Sequence, residues 1–263
     1  MNEMSGMEGM DEDDIRKAVR LGYGQRARGE GGCCEPTASS CCGGGSVDPA
    51  MLQSIMVGYE PEDLEILPKG ANLGLGCGNP VALADLEEGE TVLDLGSGPG
   101  IDCFLAARRV GPTGHVIGVD MTPDMLKLAR SNAEEAGFDN VEFREGLIEE
   151  MPVADGEVDV IISNCVINLS PDKPQVFNEA FRVLRPGGRI MVSDIVLEGE
   201  LPDKVRDSVY EYVSCVAGAS QKEDYLRYIS EAGFEDVEIV DENSYSGYPV
   251  VKSVKVRARK PAE

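Results

Sequence analysis

From residue 90 onward, short apolar runs alternate with helical patterns, and this alternation restricts the fold more than any other feature of the chain. TVLDLG (91–96), HVIGVD (115–120), VEFREG (141–146), VDVIISN (158–164) and GRIMVSDIV (188–196) read as strands. Between them, IDCFLAARRV (101–110), PDMLKLARSNAEEAG (123–137) and KPQVFNEAFRVL (173–184) carry helical periodicity. Strands that alternate with helices predict an α/β fold with a mostly parallel, doubly wound sheet, because right-handed crossovers bring each strand back beside its neighbour. Two more helical patterns, 202–217 and 221–232, and two strand-like runs, VEIVDE and VVKSVKVRARK, complete the chain.

Composition sets an acidic, cysteine-rich segment 1–47 apart from the rest of the 263 residues, which is expected to divide into a main domain 48–198 and a C-terminal region 199–263. In the first region a short helical pattern covers Asp14–Leu21, and 24–46 is too rich in glycine and serine to pack a core, so it is expected to be flexible. Met1, Met4, Met7 and Met10 read as disordered rather than as a metal box. A helix over 48–57 is predicted, with Asp48 as its cap and Pro49 in first position. GANLGLGCGNP (70–80) is a glycine-rich loop that holds Cys77, and Asn79–Pro80 is expected to shape it.

Acids outnumber bases by 48 to 24, a formal charge of −24, so the surface repels phosphate backbones and nucleic acid is excluded as a partner. Such a surface also suits high internal salt, where screening relieves self-repulsion, although any soluble acidic protein would look the same. No window approaches the roughly 18 apolar residues of a membrane span, and the acidic start is unlike a secretory signal. A cytoplasmic protein, off the membrane and monomeric, is expected. Without an export signal, the eight cysteines favour metal or redox chemistry over a disulfide framework. The one histidine, His115, starts a strand and reads as structural.

DLGSGPG sets Gly96, Gly98 and Gly100 directly after the first strand, where a ligand can approach the backbone and the N–H groups of the following helix. Asp120, 26 positions after Asp94 at the end of the second strand, can accept the hydroxyls of a ribose. A dinucleotide fingerprint would need a further glycine at 101, where isoleucine stands, so a nucleoside without a pyrophosphate fits better. VLDLG with its glycine turn, VIGVD and LRPGGRIMVSD together resemble the motifs of class I S-adenosylmethionine-dependent methyltransferases. The resemblance implies that Asp94, Gly96, Gly98 and Gly100 line the methionine end of the donor. It places Asp120 and Met121 at the ribose and adenine, Leu147 and Ile148 beside the adenine, and Asn164 at the sulfonium.

Cys165 follows the fourth strand, where such a fold faces the transferring methyl group. Cys77 and Cys215 come from two other segments, and three thiols converging from distant segments suit a soft centre such as trivalent arsenic. Its lone pair can attack the methyl group without a general base, in keeping with the lack of histidine. Cys103, within a helix, reads as core packing. GANLGLGCGNP, VLDLGSGPGIDCFLAA, VIGVDMTPDML and ISNCVINLSPDK together resemble the arsenite methyltransferases over roughly residues 15–240.

That family resemblance implies a Rossmann-like methyltransferase domain followed by an α+β region that caps the arsenic. It implies that Cys77, Cys165 and Cys215 hold the arsenic and that an N-terminal cysteine, Cys34 or Cys42, takes part in early steps. It further implies arsenite and methylarsenite as substrates, mono-, di- and trimethylated products, and a thiol reductant, glutathione or thioredoxin. Lowered thiol pKa values are expected to help capture. Three other readings stay open on the residues alone. The Cys33–Cys34 and Cys41–Cys42 pairs could hold zinc, although their spacing does not match C-x₂₋₄-C. The chain could methylate an organic small molecule of quinone or sterol type, or it could bind arsenic without catalysis.

Overall fold

A computed structural model of the chain describes residues 6, 7, 9–30, 48–245 and 247–263. Before the sheet come helices α1 (Glu12–Ala27), α2 (Pro49–Met56) and α3 (Pro61–Glu65). The alternating part then runs β1 (Thr91–Leu95), α4 (Ile101–Val110), β2 (His115–Asp120), α5 (Pro123–Ala136), β3 (Val141–Glu145), β4 (Val158–Asn164), α6 (Lys173–Val183) and β5 (Leu184–Leu197). Short helices α7 (Asp203–Arg206) and α8 (Val209–Val213), helix α9 (Lys222–Glu231), and strands β6 (Glu235–Ser244) and β7 (Val251–Arg259) follow.

The seven strands form one sheet in the order β3-β2-β1-β4-β5-β7-β6. β1 to β5 are parallel, and β7 lies antiparallel between β5 and β6. This is the α/β, Rossmann-like arrangement expected from the sequence, with an antiparallel edge added by the C-terminal strands. The boundary drawn at residue 198 therefore falls within one continuous sheet.

Both faces of the central strands are buried, which is why they read as apolar runs rather than as an alternation. Along β1, Leu93 and Leu95 enter a core with Ile117, Ile161, Phe177 and Tyr225. Val92 enters the core on the opposite face, with Phe104, Val116, Ile162 and Met191. Each such fully buried side chain contributes roughly 1.5–3 kcal/mol.

The chain proceeds from β1 outward through β2 to β3, then returns to place β4 on the other side of β1. Strand order reverses between β1 and β4, and a crevice opens at their carboxyl ends. Gly96 and Cys165 lie there, each the first residue past its strand.

Three local expectations change. Helix α1 spans Glu12–Ala27 rather than 14–21. Asp11 caps it by accepting from the Asp14 amide at 2.9 Å. Gly22 and Gly24, which look like helix breakers, are sites of close approach. A Cβ on Gly22 would lie 2.7 Å from Val213 Cγ1, and one on Gly24 3.0 Å from the Asp124 carboxylate. Met7 and Met10 are not disordered, since both pack against the apolar cluster around Val19 and Cys215. The 202–217 pattern is interrupted, because Ser208 caps a new helix by accepting from the Glu211 amide at 3.3 Å.

Candidate active site

The turn after β1 is held from behind. The amides of Gly96 and Ser97 both donate to the Val119 carbonyl, at 2.8 and 3.1 Å, and the Gly100 amide donates to the Ser97 carbonyl at 3.0 Å. Gly98 takes a φ of 52° and has open space where a Cβ would stand, so bare backbone faces the crevice. Its amide donates to Asp120 Oδ2 at 2.9 Å, and Asp120 Oδ1 accepts from the Thr122 amide at 2.7 Å. Burial pushes the Asp120 carboxyl above its usual range, against the pull of those amides.

A cleft opens in front of this turn. Asp94, Gly96, Gly98, Asp120, Met121, Leu147, Ile148, Asn164 and Cys165 all line it. Gly100 does not. A Cβ there would lie 2.8 Å from the Phe104 ring, so this glycine serves packing at the start of α4. Ser97, 4% exposed, lines the cleft, and its buried hydroxyl has no partner among the described residues. A glycine cradle, a carboxylate at the second strand and an orphaned hydroxyl fit the polar parts of S-adenosylmethionine.

Several lining residues carried no sequence signal. Tyr59, from the loop before α3, donates to Asp102 Oδ1 at 2.7 Å. Asn164 Nδ2 lies 3.1 Å from Asp102 Oδ2, and 2.8 Å from both the Tyr59 hydroxyl and the Gly78 carbonyl. Asn164 Oδ1 accepts from the Cys77 amide at 3.0 Å. One carboxamide thus ties the end of β4, the Cys77 loop and α4 together. Burial raises the Asp102 carboxyl to about 6, although Tyr59 and Asn164 favour its charge. Asp94 is pushed well above its range by burial and then by the Asp102 charge. Helix α1 closes one side of the cleft with Arg16, Val19 and Tyr23.

Cys77 and Cys165 are joined as a disulfide with their Cα atoms 5.8 Å apart. Asp194 supplies a third potential ligand atom, all three lying within 4.8 Å of one another. Cys215 belongs to the same buried cluster but is not part of that triplet. Its Sγ donates to the Cys165 carbonyl at 2.9 Å and lies 3.9 Å from the Tyr23 hydroxyl. Burial, followed by the nearby Asp194, pushes the Cys215 thiol up to about 12, opposite to the lowered value expected from sequence. Cys34 and Cys42 lie outside the described residues.

Cys165 and Cys215 stand among four described non-glycine residues with positive φ, at 61° and 68°. Such backbone strain costs about 1–3 kcal/mol per residue and gathers at functional sites. Cys103 is fully buried and donates to Asp94 Oδ2 at 3.2 Å, in keeping with its reading as core. His115 Nε2 sits 3.2 Å from Glu142 Oε1 at the start of β2 and is not among the cleft-lining residues. Asn79 does more than shape the loop, since its Oδ1 accepts at 3.1 Å from the amide of Ala82, in the short 3₁₀ turn Val81–Leu83.

Residues 86–233 match the family described as a methyltransferase domain. The arsenite methyltransferase of Halobacterium salinarum is 45% identical over 266 residues, covering 96% of this chain and 68% of that protein. The human arsenite methyltransferase is 37% identical over 177 residues, covering 64% of this chain and 47% of its own length. Among solved structures, the arsenic(III) S-adenosylmethionine methyltransferase of Chlamydomonas reinhardtii superposes with a TM-score of 0.63 at 35% identity, covering 82% of this chain and 74% of that one. The chain thus spans between about half and two thirds of the curated relatives it matches.

Proposed function

Since the chain belongs to the arsenite methyltransferase family, S-adenosylmethionine-dependent enzymes built on the methyltransferase domain, we propose that it methylates trivalent arsenic held by its cysteine thiolates. The observation that carries this reading is the meeting of Cys77 and Cys165 at the carboxyl end of β4, beside the glycine cradle after β1. Two sulfurs near enough to bond can, once reduced, share one soft atom. Cys215, with its thiol against the Cys165 carbonyl, is the third ligand of the proposal. An Asp194 carboxylate oxygen lies within 4.8 Å of the Cys77 and Cys165 sulfurs.

The methyl donor, when bound, supplies an electrophilic methyl carbon on a sulfonium. The chain's own contribution is placement. Gly96, Gly98 and Asp120 would hold the donor, Leu147 and Ile148 would flank its adenine, and Asn164 would fix the Cys77 loop in front of it. Holding partners in register replaces an entropic barrier of several kcal/mol, up to about 7–11 when alignment is ideal. A lone pair on arsenic makes a general base unnecessary, consistent with a site built without histidine.

Because Cys77 and Cys165 are paired, capture needs a reductant, for which glutathione or thioredoxin is the chemical class. Cys34 or Cys42 would deliver arsenic in the early steps. Region 48–198 would carry the donor and 199–263 would cap the substrate. We place the enzyme in the cytoplasm as a monomer serving arsenic detoxification, with mono-, di- and trimethylated products. Among the described residues no helix is long and apolar enough to cross a membrane.

The test is to incubate the chain with arsenite, a thiol and S-adenosylmethionine and to measure methylated arsenicals. Products should form, and Cys165→Ser should abolish them. Activity on a quinone or sterol that survives Cys77→Ser and Cys165→Ser would overturn the reading in favour of an organic substrate. Tight arsenite binding without turnover would favour sequestration.

A further inference from the structure

Cys77 and Cys165 share their corner of the molecule with a hard ligand. Asp194 reaches it from β5, and a carboxylate oxygen and the two sulfurs all lie within 4.8 Å of one another, on three buried residues. The hydrogen-bond partners of Asp194 are neutral. Oδ1 accepts from the Ile195 amide and Asn168 Nδ2, and Oδ2 accepts from the Tyr225 hydroxyl. Oδ2 thus keeps one acceptor position free, since a carboxylate oxygen offers two. Lys173 is felt through its charge, but its Nζ donates to the Ser170 carbonyl at 3.1 Å. A buried carboxylate without a cation in contact is costly unless a ligand brings the positive charge. Asn168, fully buried, also leaves its Oδ1 an unused acceptor among the described residues. Two thiolates and a carboxylate, the latter oriented by Asn168 and Tyr225, are a donor set that suits zinc better than trivalent arsenic.

We infer that Cys77 and Cys165, once reduced, form with Asp194 a second and overlapping site for a divalent thiophilic cation of the zinc type. Zinc accepts sulfur and oxygen together in a tetrahedron, with bonds of about 2.0–2.3 Å that set its ligand atoms roughly 3.6–3.8 Å apart. Asp194 and two unbonded sulfurs lie close enough for that spacing, and water completes the fourth position. Trivalent arsenic keeps one side for its lone pair and gains little from a hard carboxylate, so its third ligand under the reading above is Cys215. The Cys215 thiol is turned to the Cys165 carbonyl, at 2.9 Å, and stands outside the triplet. The two ligand sets therefore share Cys77 and Cys165 and differ in their third member. Zinc and arsenite exclude each other, and zinc blocks methylation by holding the thiols. The cation site stands on the triplet alone; the exclusion also rests on the arsenic reading.

Calorimetric titration of the full chain with zinc chloride and, separately, with arsenite tests this. Cys33→Ser, Cys34→Ser, Cys41→Ser and Cys42→Ser are introduced throughout, so that N-terminal thiols hold no metal. A phosphine first reduces the Cys77–Cys165 disulfide: with one water it becomes its oxide and supplies the two electrons and two protons that give two thiols. Zinc then displaces both thiol protons to the buffer. Asp194→Asn should weaken zinc by at least about tenfold and leave arsenite within about threefold, whereas Cys215→Ser should do the reverse. Retained arsenite binding shows that the Asp194 variant is folded. Should it fail to fold, zinc X-ray absorption on the chain with Asp194 intact decides, where two sulfurs at about 2.3 Å support the site and three or more overturn it. Zinc affinity unmoved by Asp194→Asn, or lowered equally by both variants, would also overturn it. Failure of the chain to bind arsenite while it binds zinc would instead remove the arsenic reading and leave the cation site standing.

Discussion

Asp194 on β5 offers a test of how the substrate pocket is built. Its carboxyl is fully buried, accepting from the Ile195 amide at 2.9 Å, Asn168 Nδ2 at 2.7 Å and the Tyr225 hydroxyl at 3.2 Å. Burial raises its pKa from 3.8 to about 7, against the pull of those donors and of Lys173. The native state therefore binds a proton that the unfolded chain has already released once pH exceeds 3.8. The stability linked to this proton is complete below 3.8 and is lost as pH rises to about 7, at about 1.4 kcal/mol per pH unit. Over the whole shift that is about 4 kcal/mol. Asp194→Asn removes the titration and adds a constant offset from altered hydrogen bonding, so the change in the difference with pH is the diagnostic quantity. Urea unfolding followed by circular dichroism should show the unaltered chain losing about 2 kcal/mol relative to the variant between about pH 5.5 and 7, and nothing more above about pH 8. A gap that stays constant over this range would show that Asp194 is an ordinary ionised carboxylate.

Other outcomes follow from neighbouring contacts. Cys77→Ser should abolish arsenite binding in calorimetry while leaving S-adenosylhomocysteine affinity within about twofold, because Cys77 is not among the residues lining the donor cleft. Asn164→Ala strands the Cys77 amide and removes a donor from Asp102, and should cost about 2–3 kcal/mol of unfolding free energy in urea titration. With a formal charge of −24, raising potassium chloride from about 0.1 to about 1 M shortens the screening length from about 10 to 3 Å. That change should raise the thermal midpoint; a midpoint unmoved by salt would remove the idea of a salt-adapted surface.

What could be read from the sequence was local. β2 and β4 occupy their expected residues, and α4 spans the predicted 101–110, because a strand buried on both faces and a helix following a glycine turn announce themselves within ten residues. Asp48 and Pro49 likewise start α2 through a cap bond only two residues long. The glycine cradle and Asp120 belong to the same class. The Tyr59–Asp102–Asn164 network does not, since its bonds join residues 43, 62 and 105 positions apart. Asp102 itself looks like any acid in a first helical turn, where the helix dipole favours it. Helix α1 was understated because Gly22 and Gly24 mark contact with Val213 and Asp124, and a glycine chosen for close packing is spelled like one chosen for a turn.

The backbone gives a separate reason to assign chemistry to the cysteines. Cys165 and Cys215 hold left-handed conformations that glycine would adopt without a Cβ penalty. Their strain is maintained by bonds on each side. The Cys165 amide donates to the Ser193 carbonyl and the Cys215 amide to the Tyr212 carbonyl, both at 2.8 Å. The Cys215 thiol then closes on the Cys165 carbonyl. Packing alone would be served as well by alanine, and the backbone better by glycine. What distinguishes cysteine at both positions is sulfur, and each sulfur is buried in the cluster that also holds Cys77. Under the proposed function, the strain at these two residues, held in contact through the Cys215 thiol and the Cys165 carbonyl, would aim thiols rather than fill space.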